Sequence, residues 1–253
     1  MMDFSFIQFL MIAFVALIAG AINTIAGAGS SLVIPSLMVL GVPADIANAT
    51  NRVGILAQSS SALQGFSSHG KFDMSDLLFI LVPILLGGLI GSLSITSIDP
   101  SLVKPVILIT MITMAVITYY KPSVVVPPEG TPINLMRNTP KAWPALLFVG
   151  FYGGLIQAGV GFLLIASIAG ILRYDILRTN ALKHLCMIAF TMVSLVVFIM
   201  HGLIDWKLGG VLAIGYIIGA QLGVSLAIKA SPKAIKDFLF FMTLFACIAA
   251  FLS

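Results

Sequence analysis

The chain has 253 residues, of which 60% are hydrophobic and 9% charged, and its formal net charge is +4. A soluble protein of this composition would expose too much apolar surface to water. A mean hydropathy of +1.14 is typical of a chain within a lipid bilayer. In such a chain a small positive charge reports orientation in the membrane, so we expect no nucleic-acid partner. The two cysteines stand far apart in apolar runs and form no metal or redox motif, so we expect no cofactor.

Long runs without charge predict an all-α, polytopic membrane protein, because several exceed the roughly 20 residues that cross hydrocarbon. The chain divides into a first transmembrane repeat (1–120), a proline-containing linker (121–141) and a second repeat (142–253). In chain order the predicted segments are A (4–26), B (30–40), C (47–66), D (76–97), E (101–120), A′ (143–158), B′ (162–172), C′ (180–200), D′ (206–229) and E′ (232–252).

The two halves are copies of one unit, placed at an offset of 132 residues. Residues 26–104 align with 158–236 without a gap, and 17 of the 79 pairs are identical. The identities favour glycine, proline and polar residues over the interchangeable leucine and isoleucine. Because duplication in an apolar chain is a known way to build a transporter, the repeat predicts a transport function.

Segments B and B′ are too short to cross a membrane. About 11 helical residues span roughly 17 Å, about half of the hydrocarbon core. Each segment follows a glycine break, at Gly27 and Gly29 in one repeat and at Gly159 and Gly161 in the other. Short, glycine-interrupted segments in matching positions point to a transporter's binding site. We therefore predict that A–B and A′–B′ are helical hairpins whose tips lie within the membrane.

Basic residues predict the orientation. If the C–D, B′–C′ and D′–E′ loops and the linker are cytoplasmic, that side holds 10 of the 13 lysines and arginines. Arg52, Lys104 and Lys207 then lie on the other side. Equivalent loops on opposite sides indicate an inverted repeat, in which each copy has a broken hairpin and three transmembrane helices. We expect a multi-pass protein of the inner membrane, with both termini outside the cytoplasm and residues 121–141 inside.

No acidic residue lies in the middle of a predicted span, which argues against a cation pump and favours anions or neutral solutes. Side-chain donors cluster at the tips instead. A helix that begins at such a tip also presents free N–H groups, which suit an oxyanion. The alternative is that the glycines only permit close helix packing. The tip candidates for substrate binding are Asn23, Thr24, Gly27, Gly29, Ser30, Ser31, Gln157, Gly159 and Gly161.

A second set of candidates opens segments C and C′. Asn48 and Asn180 are interpreted either as helix N-caps or as substrate contacts. A cation close inside a helix start opposes the helix dipole, so Arg52 and Lys183 either bind an anion at two pseudo-symmetric sites or extend to lipid headgroups. Asn51 completes this set.

The histidines are candidates for proton handling. His184 follows Lys183, whereas His69 and His201 occupy equivalent positions in a His-Gly-x-x-Asp pattern. That pattern also fits a turn, with glycine at the bend and Asp73 or Asp205 entering the next helix.

At these residues the chain resembles the sulfite exporter TauE/SafE family. The features that carry the resemblance are residues 23–35, 40–43, 47–51, 153–161 and 202–206, followed by Gly215, Gly219 and Gly223. The resemblance implies a bacterial or archaeal permease for small sulfur-containing anions or organic acids. The chain departs from the family in its Gly-Ala-Gly-Ser tip and in Leu182-Lys183, where a Thr-Ser pair is common.

The sequence therefore predicts a permease, not an enzyme, that moves sulfite, a sulfonate, sulfoacetate, thiosulfate or an organic acid by alternating access. Its expected partners are a small anionic substrate, the bilayer and a second copy of the chain in a homodimer. Three alternatives remain open: an anion channel, a neutral-metabolite facilitator, and a membrane-embedded enzyme or redox carrier. The last would need a cofactor motif, and the sequence shows none.

Overall fold

A computed structural model describes residues 4–67, 76–120 and 131–226 together with the single positions 244, 247, 248 and 252. Within this part of the chain all regular structure is helical, which confirms the predicted all-α class. The α-helices are α1 Phe6–Ala26, α2 Ser30–Val39, α3 Ala44–Ser67, α4 Leu77–Thr96, α5 Pro100–Tyr120, α6 Ala142–Leu155, α7 Val160–Ile165, α8 Ile176–Met200 and α9 Trp206–Leu226. A 3₁₀ turn, Met136–Asn138, precedes α6, and a π-helix, Ala166–Ile171, continues α7. Apart from those four single positions, predicted segment E′ lies outside the described residues, as does His69.

The predicted break between A and B is confirmed. Helix α1 ends at Gly27, whose φ of 76° is left-handed and whose amide donates to the carbonyl of Asn23. Glycine adopts this conformation at little steric cost, so it ends helices readily. Helix α2 begins at Ser30 and has 10 residues, about 15 Å of helix. The first hairpin is therefore one long helix followed by a half-length one.

The second break differs in detail from the first. Helix α6 ends at Leu155, three residues before the predicted end of A′. The chain then turns through two left-handed residues, Gln157 (φ 69°) and Gly159 (φ 75°). The π-helix after α7 widens the helix by one residue per turn, a feature that frequently marks functional sites.

Helices α3 and α8 begin earlier than predicted, and the N-cap interpretation of the two asparagines is wrong. Asp175 is the N-cap of α8, where its side chain accepts a hydrogen bond from the Arg178 amide at 2.9 Å. Helix α3 begins at Ala44. Asn48 and Asn180 thus lie in the second turn of their helices, and the cations that follow them lie deeper still.

The two repeats pack reciprocally. Helix α1 of the first repeat packs mainly on α9 of the second, and α6 of the second packs mainly on α4 of the first. A Cβ built on Gly219 would lie 2.0 Å from the Leu17 carbonyl oxygen, and one on Gly87 would lie 2.1 Å from that of Leu147. Only glycine permits such approach, which is the usual device for packing membrane helices. Helices α3 and α8 also contact each other and occupy the centre.

Five of the described helices are long and apolar enough to cross a membrane: α1, α4, α5, α8 and α9. Large apolar side chains on their outer faces are exposed, among them Phe14, Leu78, Ile109, Val196 and Ile214. Such surfaces suit lipid and not water. The chain is a multi-pass membrane protein.

Candidate functional site

The tips of the two broken hairpins meet. The Gly161 amide donates a hydrogen bond to the carbonyl oxygen of Gly27 at 3.1 Å. A Cβ on Gly27 would lie 2.3 Å from the Cα of Gly161, and one on Gly161 would lie 2.2 Å from the Cα of Gly27. Both glycines are therefore required by close approach. The structure brings together the two elements in which the sequence places the binding site.

A buried amide network supports the first tip. Asn23 Nδ2 donates to Gln58 Oε1 at 2.7 Å, and Gln58 Nε2 donates to Thr24 Oγ1 at 2.8 Å. Asn23 Oδ1 accepts from the Gly29 amide at 3.2 Å. The three polar side chains are at most 1% exposed. Gln58 of α3 thus fixes Asn23 and Thr24 in the last turns of α1. Asn23 in turn pairs an N–H group at the start of α2 that the helix itself leaves unpaired.

Hydroxyl groups at the start of α2 connect the same tip to α3 and α9. Asn51 Nδ2 donates to Ser30 Oγ at 3.0 Å, and the Tyr216 hydroxyl donates to Asn51 Oδ1 at 2.8 Å. Ser31 is also buried in the first turn of α2. Two predicted site residues of the first repeat, Asn51 and Ser30, therefore interact with Tyr216, which belongs to the second.

Arg52 caps the broken end of α6. Its two terminal nitrogens donate to the carbonyl oxygens of Gly153 and Gly154, each at 2.7 Å. Asn48 Nδ2 donates to the carbonyl of Leu155 at 2.9 Å. The last three carbonyls of α6 would otherwise be unpaired, and a cation at a helix C-terminus is also favoured by the helix dipole. The guanidinium carbon lies 4.9 Å from the ring centroid of Phe198, in cation–π range.

Lys183, from the second repeat, caps the broken end of α1 in the first repeat. Its Nζ donates to the carbonyl of Thr24 at 2.9 Å and to Asn180 Oδ1 at 3.2 Å. A cation of each repeat therefore stabilises the interrupted helix of the other. Arg52 and Lys183 are both fully buried. The prediction that these two cations count as loop charges is wrong, because both lie within helices. The alternative that they extend to lipid headgroups is also wrong, because both side chains are buried in the protein.

The second tip presents polar atoms that no described residue pairs. Gln157 Nε2 donates to Thr191 Oγ1 at 2.9 Å. Among the described residues, no hydrogen bond reaches Gln157 Oε1, Asn48 Oδ1 or the Nε atom of Arg52, although all three atoms are buried. Buried polar atoms are usually paired. These three atoms are therefore available to water or a ligand. Gly159 directly precedes α7, and a Cβ built on it would lie 3.7 Å from the Met114 side chain.

Within the described ranges, the site has positive charge without a matching carboxylate. The one ion pair within the described part of the chain joins Arg178 to Asp175 at 3.3 Å, at the start of α8. The described acidic residues lie at or next to helix ends, as predicted: Asp45, Asp76, Asp99, Asp175 and Asp205. Because buried charges are costly unless they are paired, two buried cations held only by carbonyl oxygens, an amide oxygen and a ring face favour an anionic ligand.

The histidines separate into two groups. His184 is fully buried on α8, beside Lys183. His201 ends α8, about 27 Å along the helix from Lys183, and is exposed in a turn. Gly202 there has a φ of 68°, and Asp205 Oδ1 accepts from the amides of Lys207 and Leu208. The turn interpretation is confirmed for this copy, and His201 lies apart from the tips.

Sequence reasoning missed Gln58, Thr191, Phe198 and Tyr216. None belongs to a motif, and Gln58 and Tyr216 align with Phe190 and Ile84 in the other repeat, so the duplication gave no signal. The one available signal was the presence of an amide or a phenol in an otherwise apolar helix. Polar groups in the membrane interior are functional candidates by default.

Comparison with known proteins places the chain among transporters. The sequence profile of the family described as Sulfite exporter TauE/SafE matches residues 12–250. A probable membrane transporter protein of Haemophilus influenzae is 27% identical over 231 residues, which cover 90% of this chain and 89% of that protein. The probable membrane transporter protein ORF9 of Sinorhizobium sp. is 26% identical, over 93% of this chain and 88% of its own length. The probable membrane transporter protein YfcA of Escherichia coli K12 is also 26% identical, over 88% and 82%.

Proposed function

Because the chain belongs to the sulfite exporter TauE/SafE family of membrane transporters, we propose that it moves a small sulfur-containing oxyanion across the cytoplasmic membrane by alternating access. The substrate class is sulfite, thiosulfate, a sulfonate or sulfoacetate, with small organic acids as close chemical relatives. One observation carries the proposal. Two buried cations, Arg52 and Lys183, lie at the meeting point of the broken helices without a carboxylate partner among the described residues.

The substrate binds at the tips in this proposal. The hydroxyls of Ser30 and Ser31 at the start of α2 replace part of its hydration shell, at the positive end of that helix. Arg52 and Lys183 supply the positive potential, and the amides of Asn48, Asn51, Asn180 and Gln157 complete the surroundings. The tip glycines Gly27, Gly29, Gly159 and Gly161 let the two tips and the neighbouring helices come close together around the ligand.

Competition for the two cations links binding to movement. In the structure Arg52 and Lys183 donate to neutral carbonyl oxygens at the ends of α6 and α1. An oxyanion is a stronger acceptor for a cation than a neutral carbonyl, because the attraction between opposite charges adds to the hydrogen bond. Transfer of a cation from the carbonyl to the anion releases the helix end of the other repeat. The tips then separate at the Gly27–Gly161 contact, and the two repeats move against each other.

The reciprocal packing of the helices supports two repeats related by a pseudo-two-fold axis, and we propose that the copies are inverted in the membrane. The two buried cations no longer count as loop charges. Of the other eleven lysines and arginines, nine lie on the proposed cytoplasmic side. The linker 121–141 between the repeats 1–120 and 142–253 is then cytoplasmic, and both termini lie outside the cytoplasm.

Proton coupling needs a group other than a carboxylate at the tips. His184, buried beside Lys183, is the candidate within the site. Protonation of the substrate itself is the second route, and transport without coupling is the third. The exposed position of His201 makes it a poorer candidate than His184.

Ligand stabilisation of the purified protein tests the proposal. A ligand that binds the folded state at 100 times its Kd raises the free energy of unfolding by about 2.7 kcal/mol. We expect sulfite, thiosulfate, ethanesulfonate or sulfoacetate to raise the Tm, and uncharged solutes to have no effect. Arg52→Gln and Lys183→Gln should abolish the shift, whereas Lys207→Gln, which removes an exposed cation, should retain it. A shift that persists in both buried variants would contradict an anion site at these residues.

A further inference from the structure

Three buried polar residues form a chain that ends at the first tip. The phenol of Tyr216 donates to Asn51 Oδ1 at 2.8 Å and also contacts the side chain of Ser30. The amide of Asn51 donates to Ser30 Oγ at 3.0 Å. We propose that Tyr216 and Asn51 are positioning residues that orient the Ser30 hydroxyl as a hydrogen-bond donor to the transported oxyanion. This inference rests on the proposed function.

The direction of the chain follows from the chemistry of its groups. A phenol has one hydrogen, and here Asn51 Oδ1 accepts it. The carboxamide of Asn51 then has its NH₂ group toward Ser30. Because the oxygen of Ser30 already accepts, its own hydrogen is left to donate, either back to the phenol or to a ligand. In this orientation the oxygen of Asn51 is occupied by the phenol and does not accept the hydrogen of Ser30.

An oxyanion is the ligand that this arrangement favours. It offers only acceptor atoms, and a hydrogen bond to a charged acceptor is about twice as strong as one to a neutral phenol. The hydrogen of Ser30 should therefore turn from Tyr216 to the anion when the anion binds. Ser30 begins α2, so its hydroxyl lies next to the backbone N–H groups of that helix start. The chain is 2% exposed or less at all three residues, and bulk water does not compete.

The second repeat cannot form this chain. At the offset of 132 residues, Ser30 corresponds to Phe162, Asn51 to Lys183 and Tyr216 to Ile84. Phe162 has no hydroxyl, Ile84 has no hydrogen-bonding group, and Lys183 donates to Thr24 and Asn180 instead. The chain that ends at Ser30 is thus a feature of the first tip, whereas the hydroxyl of Thr191 near the second tip is held by Gln157.

A double-mutant cycle on the full-length protein tests the inference. The affinity for sulfite and ethanesulfonate is measured by calorimetry for the wild type, Ser30→Ala, Tyr216→Phe and the double variant. We expect each single variant to weaken binding about ten-fold, the loss of one hydrogen bond to a charged group. Because Tyr216 acts through Ser30, the double variant should bind no more weakly than Ser30→Ala. In proteoliposomes the same variants should raise KM and leave Vmax nearly unchanged.

Ser194→Ala is the matched control, because Ser194 is equally buried and donates within α8 to the carbonyl of Phe190. Its affinity should equal that of the wild type. If Tyr216→Phe fails to fold, Asn51→Ala with Ser30→Ala gives the same cycle. Wild-type affinity in Tyr216→Phe, or losses that multiply to about a hundred-fold in the double variant, would overturn the positioning role alone. Failure of the folded wild type to bind any anion would overturn the proposed function and this inference together.

Discussion

The amide of Gly161 donates to the carbonyl oxygen of Gly27 across 3.1 Å, and this bond joins the two broken helices at their tips. Each glycine lies where a Cβ on the other would need to be. Two points that are 134 positions apart in the sequence therefore share one contact. A movement that separates the two tips must therefore break this hydrogen bond.

Replacement of Gly161 by alanine tests that contact. The new Cβ would lie 2.2 Å from the Cα of Gly27, so the tips must separate, at a cost of about 1–3 kcal/mol or more. We expect a lower Tm and loss of transport. Gly210→Ala is the matched control, since Gly210 is also helical but has no atom within 4 Å of the added Cβ. That variant should be stabilised by about 0.5–1 kcal/mol and transport normally. Normal transport in Gly161→Ala would show that the tip contact is dispensable.

Two replacements of Arg52, by lysine and by glutamine, distinguish the effect of its hydrogen bonds to α6 from the effect of its charge. Arg52→Lys keeps the charge but presents one nitrogen to two carbonyls, whereas Arg52→Gln loses the charge as well. An unpaired buried carbonyl costs about 1–3 kcal/mol. We expect the Tm to fall in the order wild type, Arg52→Lys, Arg52→Gln, as measured by thermal unfolding in detergent. Equal Tm values for all three proteins would contradict the cap on α6.

Arg173 holds a conformation that suits glycine. Its φ is 62°, in the left-handed region, and the equivalent residue of the first repeat is Gly41, with a φ of 90°. A residue with a Cβ loses roughly 1–2 kcal/mol there, which the greater backbone entropy of unfolded glycine partly offsets. Arg173→Gly should therefore raise stability by up to about 1 kcal/mol, and Gly41→Ala should lower it. A destabilised Arg173→Gly protein would indicate that the exposed guanidinium has a stabilising contact.

Cysteines introduced one at a time on the two sides of the membrane test the proposed orientation of the protein. Ser101 at the start of α5 and Asn138 before α6 are both exposed, whereas the native cysteines Cys186 and Cys247 are buried. In intact cells a membrane-impermeant maleimide should label Ser101→Cys from outside and reach Asn138→Cys only after permeabilisation. The opposite pattern would reverse the proposed topology. Labelling of both positions in intact cells would place the linker outside the cytoplasm.

Local sequence signals predicted the helical hairpins well and the buried contacts poorly. The breaks at Gly27 and Gly159 were predictable because a left-handed φ favours glycine whatever surrounds it. The starts of α3 and α8 were misplaced because asparagine was favoured as a cap, although Asp175 carried an equally good local signal.

The role of Arg52 could not be predicted from its surroundings in the sequence. Its acceptors, Gly153 and Gly154, are about a hundred residues away. The repeat also misdirects here, because Arg52 aligns with His184, whereas Lys183, the cation that caps α1, aligns with Asn51. Reciprocal capping is a property of the packed fold and not of the aligned positions.

Counterflow in proteoliposomes tests the central proposal most directly. Vesicles preloaded with unlabelled ethanesulfonate take up the radiolabelled anion, and wild-type protein is compared with Lys183→Gln and the control Lys207→Gln. We expect preloading to accelerate uptake in the wild type and in the control, and Lys183→Gln to abolish uptake. Flux that preloading does not accelerate would indicate a channel, and undiminished uptake by Lys183→Gln would contradict an anion site at the meeting tips.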